Sequence, residues 1–167
     1  MRALLLSLAF SLCAQAQSLP ADPFAPVRFL AGDWVGEGSG DPGKGSGAFS
    51  FRFELDGKAL VRRSSASYPA QGGRPALRHE DLMTIFAEGG KLKALYLDNE
   101  GHVIRYDATP LPQGEGVAFR SEPGPGPGFR LTYRVRTGGT VAVEFAIAPP
   151  GKPEAFAPYV EGTSRRK

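Results

Sequence analysis

From residue 33 to residue 163 the chain alternates apolar and polar side chains over short stretches, and each stretch ends at a cluster of glycine, proline, aspartate or asparagine. A period of two belongs to a strand with one buried face. Phe49, Phe51, Phe53 and Leu55 fall on one face of such a strand, with Ser50, Arg52 and Glu54 on the other, before Asp56-Gly57 turns the chain into residues 58–68. Phe129, Leu131, Tyr133 and Val135 repeat the pattern, and after Gly138-Gly139 it resumes at Val141, Val143, Phe145 and Ile147. In full, the spacing predicts strands at 33–38, 49–55, 58–68, 78–87, 91–98, 102–109, 115–122, 129–136, 141–147 and 155–163. Only residues 23–30 suit a short helix, placed as a plug ahead of the first strand. The Gly- and Pro-rich runs at 36–47 and 122–128 read as flexible connections.

Ten strands joined by tight turns predict an all-β domain, a single antiparallel up-and-down β-barrel. Closing the sheet removes exposed edges, and a barrel of more than eight strands has room for a ligand. A two-sheet β-sandwich is the competing architecture.

The N-terminus reads differently. Met1-Arg2 is followed by an apolar run, 3–12, and then by Ala14-Gln15-Ala16, the small-x-small pattern of a secretory cleavage site. A helix over that run rises only about 15 Å, half of a ~30 Å hydrocarbon core. Residues 1–17 are therefore expected to be a signal peptide that leaves with Cys13, and residues 18–167 one domain, exported to the periplasm or secreted, without stable membrane insertion. Without that cysteine, the mature chain has no thiolate nucleophile, cysteine metal site or disulfide.

The formal net charge of +3 does not describe the folded body. With Arg2, Arg165, Arg166 and Lys167 set aside, 16 basic residues stand against 17 acidic ones, so no basic face for nucleic acid is expected.

The run Phe29-Leu30-Ala31-Gly32-Asp33-Trp34-Val35-Gly36-Glu37-Gly38-Ser39-Gly40 resembles the opening of the nitrobindin-like proteins, haem-binding members of the wider lipocalin-like (calycin) superfamily, and Tyr96 to Ile104 is similar to exported bacterial proteins of that group. The resemblance implies a ten-stranded barrel with Trp34 plugging one end. It also makes haem a possible cofactor, although the family holds iron through a histidine near the C-terminus and this chain has none after His102.

The candidate binding residues follow from strand faces. His79 shares its face with Asp81, Met83 and Ile85, and His102 shares one with Ile104 and Tyr106. Phe51, Phe53, Tyr96, Tyr106, Phe119 and Tyr133 are predicted to point inward, with Ala94 and Ser121 leaving space. Arg62 or Arg63, whichever turns inward, is suited to a ligand carboxylate or a haem propionate. Trp34, Arg62, Arg63, His79, Tyr96, His102, Tyr106 and Tyr133 are thus the expected ligand-binding set, and no metal site is expected. The expected ligand is a hydrophobic or amphipathic small molecule, such as a fatty acid or haem. Two alternatives are a small isomerase or hydrolase using His79 with Glu80 or Asp81, and a protein-interaction module. No nucleophile elbow, zinc-protease helix or nucleotide-binding loop is present.

Overall fold

A computed structural model describes residues 22–167. The segment read as a signal peptide lies outside the described residues. A short 3-10 helix, Ala25–Leu30, leads into ten strands: β1 (Gly32–Gly40), β2 (Gly45–Glu54), β3 (Ala59–Tyr68), β4 (Leu77–Glu88), β5 (Lys91–Asp98), β6 (Val103–Pro110), β7 (Gly116–Ser121), β8 (Gly128–Val135), β9 (Val141–Ala148) and β10 (Ala157–Arg166). Each strand pairs antiparallel with the next, and β1 pairs with β10, so the sheet closes into one ten-stranded up-and-down barrel. That closure rules out the two-sheet sandwich and is consistent with a lipocalin-like fold.

The helix plugs one end of the barrel. Pro26 suits its first turn, and Phe24, Val27 and Leu30 are buried against the strands. Trp34 lies beside them, stacked on Phe49 at 6.0 Å between ring centroids, with its indole Nε1 donating to the Leu30 carbonyl at 2.8 Å. The Arg166 guanidinium sits 4.6 Å over the indole and donates to the carbonyls of Ala31 at 2.8 Å and Phe29 at 3.0 Å, tying the end of β10 to the plug.

The plugged half of the interior is solid. Phe51, Phe119, Tyr106 and Tyr133 are buried with Leu60, Met83, Ile85 and Val117. Their rings meet edge to face, Phe51 on Tyr133 at 5.7 Å and Phe119 on Tyr133 at 6.3 Å. Burying a side chain of the size of Phe51 or Phe119 contributes about 1.5–3 kcal/mol.

Two expectations from the sequence are corrected. The glycine-rich run at 36–47 is not a flexible connection: most of it forms the facing ends of β1 and β2, joined by a tight turn. A Cβ on Gly36 would lie 2.6 Å from the Thr163 carbonyl oxygen and one on Gly38 2.6 Å from that of Glu161, so glycine lets β1 press against β10. Leu55 does not share the inward face of Phe49, Phe51 and Phe53. It occupies the β2–β3 turn with a positive φ of 53° and is 75% exposed.

Candidate functional site

The half of the barrel away from the plug encloses a cavity of about 420 Å³. That lies within the range of about 300–1,000 Å³ usual for small-molecule sites. Alternation along each strand decides what faces it, and the wall has three sectors. β3, β4 and β5 contribute Arg62, Ser64, His79, Asp81, Tyr96 and Asp98. β8, β9 and β10 contribute Phe129, Leu131, Val143, Phe145, Ile147 and Val160, with Ile104 of β6 between the two sectors. The glycines and small residues of β1 and β2 line the third sector, where the missing side chains leave the cavity its width.

The polar sector is a connected network. Arg62 of β3 donates from Nη1 to Asp81 Oδ1 of β4 at 2.5 Å and from Nη2 to Ser64 Oγ at 3.0 Å. Both partners of this ion pair are buried, Arg62 at 9% and Asp81 at 3% side-chain exposure. Burial, the largest single effect on each, would lower the Arg62 pKa and raise that of Asp81, but Asp81 together with the tyrosines around Arg62 holds the guanidinium above its ordinary value, and Arg62 together with His79 and Ser64 holds Asp81 below its own. His79 stands one strand step toward the mouth, with Nε2 3.6 Å from Asp81 Oδ2 and 2.9 Å from the Tyr96 hydroxyl, and Nδ1 2.8 Å from Glu100 Oε1. Asp81 and Glu100 push the imidazole pKa up from 6.5 to about 9 against the effect of burial. His79 is therefore a cation at neutral pH with both N–H groups engaged. It has no lone pair with which to act as a general base beside Asp81.

The network continues through Tyr96, whose hydroxyl donates to Asp98 Oδ2 at 3.4 Å. The Asp98 carboxylate also accepts the ring Nδ1–H of His102 at 2.8 Å and, on Oδ1, the backbone N–H groups of Glu100 at 3.0 Å and His102 at 2.9 Å. These bonds from His102 and Glu100 hold its pKa below the ordinary value although burial opposes them. They also shape the β5–β6 turn, which brings His102 to the mouth with its ring edge toward Phe129 at 6.4 Å. His102 is half exposed, and its Nε2 has no partner among the described residues.

Of the predicted binding set, Arg62, His79, Tyr96 and His102 line the cavity. Arg63 does not: the alternation that turns Arg62 inward leaves Arg63 on the outer face beside Leu82. Glu80 is also outside, bonded to Arg78 at 2.6 Å, so of the two acids considered for His79 only Asp81 shares its face. Trp34 belongs to the plug, and Tyr106 and Tyr133 lie beneath the cavity in the filled half. Phe51 and Phe119 are buried in that same filled half, and Phe53 packs on Phe24 at 5.6 Å, so Tyr96 is the one predicted aromatic that lines the space. The sequence reading missed Asp98 and Glu100, and it missed the stacked pair Phe129 and Phe145, 5.9 Å apart. Phe129 and Phe145 carried the signal, since both alternate inward. Asp98 and Glu100 flank a turn, where face assignment by alternation ends.

Among the described residues, no group of three or more His, Cys, Asp or Glu side chains is arranged to hold a metal ion, and no helix is long and apolar enough to cross a membrane. Comparison with protein-family models and with curated proteins gave no match.

Proposed function

We propose that this protein is an exported carrier or sensor that binds one amphipathic small molecule in the open half of its barrel. The observation that carries this reading is the division of the interior: one half is packed with aromatic rings, and the other is hollow with an apolar wall facing a hydrogen-bonding wall. A ligand with an apolar body and a polar end satisfies both walls at once, and packing it against Phe129, Leu131 and Phe145 replaces water on apolar surface. The signal-peptide pattern of residues 1–17 supports export, and exposed charges such as Arg52, Arg63 and Glu80 on the outer wall support a water-facing barrel. The Gly32-x-Trp34-x-Gly36-x-Gly38 run at the plug supports kinship with the nitrobindin-like branch of the lipocalin-like barrels.

Native mass spectrometry of the protein isolated from its own cells tests this reading. We expect one stoichiometric added mass. Bare protein that gains nothing on exposure to extracted lipids or haem would sink the reading and favour a protein-interaction role.

A second reading, haem binding, is favoured by one observation. His79 has both ring nitrogens engaged, but His102 is held through Nδ1 by a buried carboxylate and keeps Nε2 free, the usual arrangement of an imidazole that ligates a metal. His102 would be the iron ligand, with Asp98 fixing its tautomer and Phe129 beside the ring. Bound haem would supply an iron centre for gas-binding or redox chemistry. Titration with haem is expected to give a Soret shift that His102→Ala abolishes, and an unchanged shift in that variant removes His102 from the role.

A further inference from the structure

The acids and cations around the cavity do not balance. Glu37, Asp81, Asp98 and Glu100 border it against Arg62 and His79, so the carboxylates stay in excess even when His102 takes a proton. Both internal cations are already answered, Arg62 by Asp81 at 2.5 Å and His79 by Asp81 at 3.6 Å and Glu100 at 2.8 Å. A ligand carboxylate would add to the negative surplus, whereas a ligand cation offsets it.

Glu100 is the acid of this network that a ligand can reach. Its Oε1 meets His79, its Oε2 has no hydrogen bond among the described residues, and its side chain is 44% exposed at the β5–β6 turn. Asp98, by contrast, is 4% exposed and accepts from Tyr96, His102 and two backbone N–H groups.

Around Glu100 the mouth is aromatic. Tyr68 ends β3 with its ring across β2, where a Cβ on Gly45 would come within 2.5 Å of Tyr68 Cδ1. Tyr159 enters from β10, where a register shift between Pro158 and Val160 lets Tyr159 and Val160 both line the cavity. Its ring meets Phe145 edge to face at 6.2 Å, and Phe145 stacks on Phe129 at 5.9 Å. Burial raises the pKa of Tyr68 and Tyr159, and the Glu100 charge adds to the rise in each, so that carboxylate lies within electrostatic reach of both hydroxyls. Ring faces attract cations, more strongly where water is partly excluded, and a carboxylate oxygen accepts an N⁺–H.

Resting on the carrier reading above, we propose that the ligand is an amphipathic amine, bound as its ammonium, with the charged end at the mouth among Glu100, Tyr68 and Tyr159. The apolar end points down the barrel along Phe145, Leu131 and Val143. Arg62, paired with Asp81, is a fixed part of the wall and not the anchor of an acid ligand.

Isothermal titration of the protein purified from its own cells, at pH 7 with decylamine, 1-decanol and decanoate, tests the proposal, because the three probes share a chain and differ in the charge at its end. Decylamine is expected to bind at least about tenfold tighter than 1-decanol, with decanoate the weakest. Glu100→Gln and Tyr159→Leu are each expected to cut that advantage by about threefold to tenfold and to leave the affinity for 1-decanol unchanged. 1-Decanol or decanoate binding as tightly as decylamine overturns the inference and leaves the carrier reading standing. An advantage of the amine that survives both substitutions also overturns it. Failure of all three probes to bind overturns the inference and the carrier reading together.

Discussion

Arg62 and Asp81 form a buried ion pair across β3 and β4, Nη1 to Oδ1 at 2.5 Å, in the polar sector of the cavity wall. Such a pair contributes little net stability over an apolar replacement, but losing one partner leaves the other charge buried without its counter-ion. Asp81→Ala is therefore expected to cost about 3–5 kcal/mol in urea unfolding, and the double variant Arg62→Met/Asp81→Leu is expected to recover most of that loss. A single variant as stable as the parent would show that Arg62 escapes to solvent.

Stability should fall on both sides of a mildly acidic optimum. The His79 pKa is raised from 6.5 to about 9, so its contribution is complete below 6.5 and is lost as the pH rises through 9. Asp81 and Asp98 are lowered from 3.8, so theirs is complete above that value and is lost as the pH falls through the folded-state values. A melting-temperature profile against pH is expected to peak between about 4 and 6.5, and His79→Gln should flatten its alkaline limb. An alkaline limb unchanged in that variant would assign the loss to another group.

Ala66 faces into the cavity beside His79 on the neighbouring strand. Ala66→Phe places a ring in the hollow half without touching the filled one. It is expected to lower affinity for 1-decanol by about tenfold or more while changing stability by no more than about 1 kcal/mol. Calorimetric titration and urea unfolding check the two halves of that expectation separately.

Leu55 adopts a left-handed backbone, φ 53°, at an exposed turn where its side chain packs on nothing that offsets the strain. Leu55→Asn is expected to raise stability by about 0.5–1 kcal/mol, read from the urea midpoint at constant slope.

Arg166 joins β10 to the plug through two carbonyls and the Trp34 ring. Arg166→Ala is expected to cost about 1–2 kcal/mol and to change the Trp34 emission, which reports on the plug rather than on the cavity.

Much of this architecture could be read from alternation alone. The spacing from Phe49 to Phe53 and from Phe129 to Val135 placed strands within a few residues of their ends, and turn residues such as Glu88-Gly89-Gly90 separated them. Alternation also put His79 and Asp81 on one face. It could not choose between Arg62 and Arg63, because both faces of that strand carry polar residues, nor could it show that Arg62 meets Asp81, a pairing made only when β3 lies beside β4. Gly36 to Gly47 was misread because glycine signals both a flexible loop and a close strand approach, and sequence does not separate the two. Apart from Tyr96, the aromatics expected to line a cavity instead fill the plugged half, since inward direction does not reveal depth along the barrel axis.

The seam between β1 and β10 has a mechanical consequence. The start of β1 and the end of β10 lie side by side, Trp34 opposite Arg166, and the backbone N–H of Lys167 reaches the Asp33 carbonyl at 3.0 Å. Tension applied between these two ends would load the cross-strand hydrogen bonds one pair at a time rather than together, because they run perpendicular to antiparallel strands. The ring would then open like a zipper from its plugged end, at low force, with Trp34 freed first and the cavity breached last.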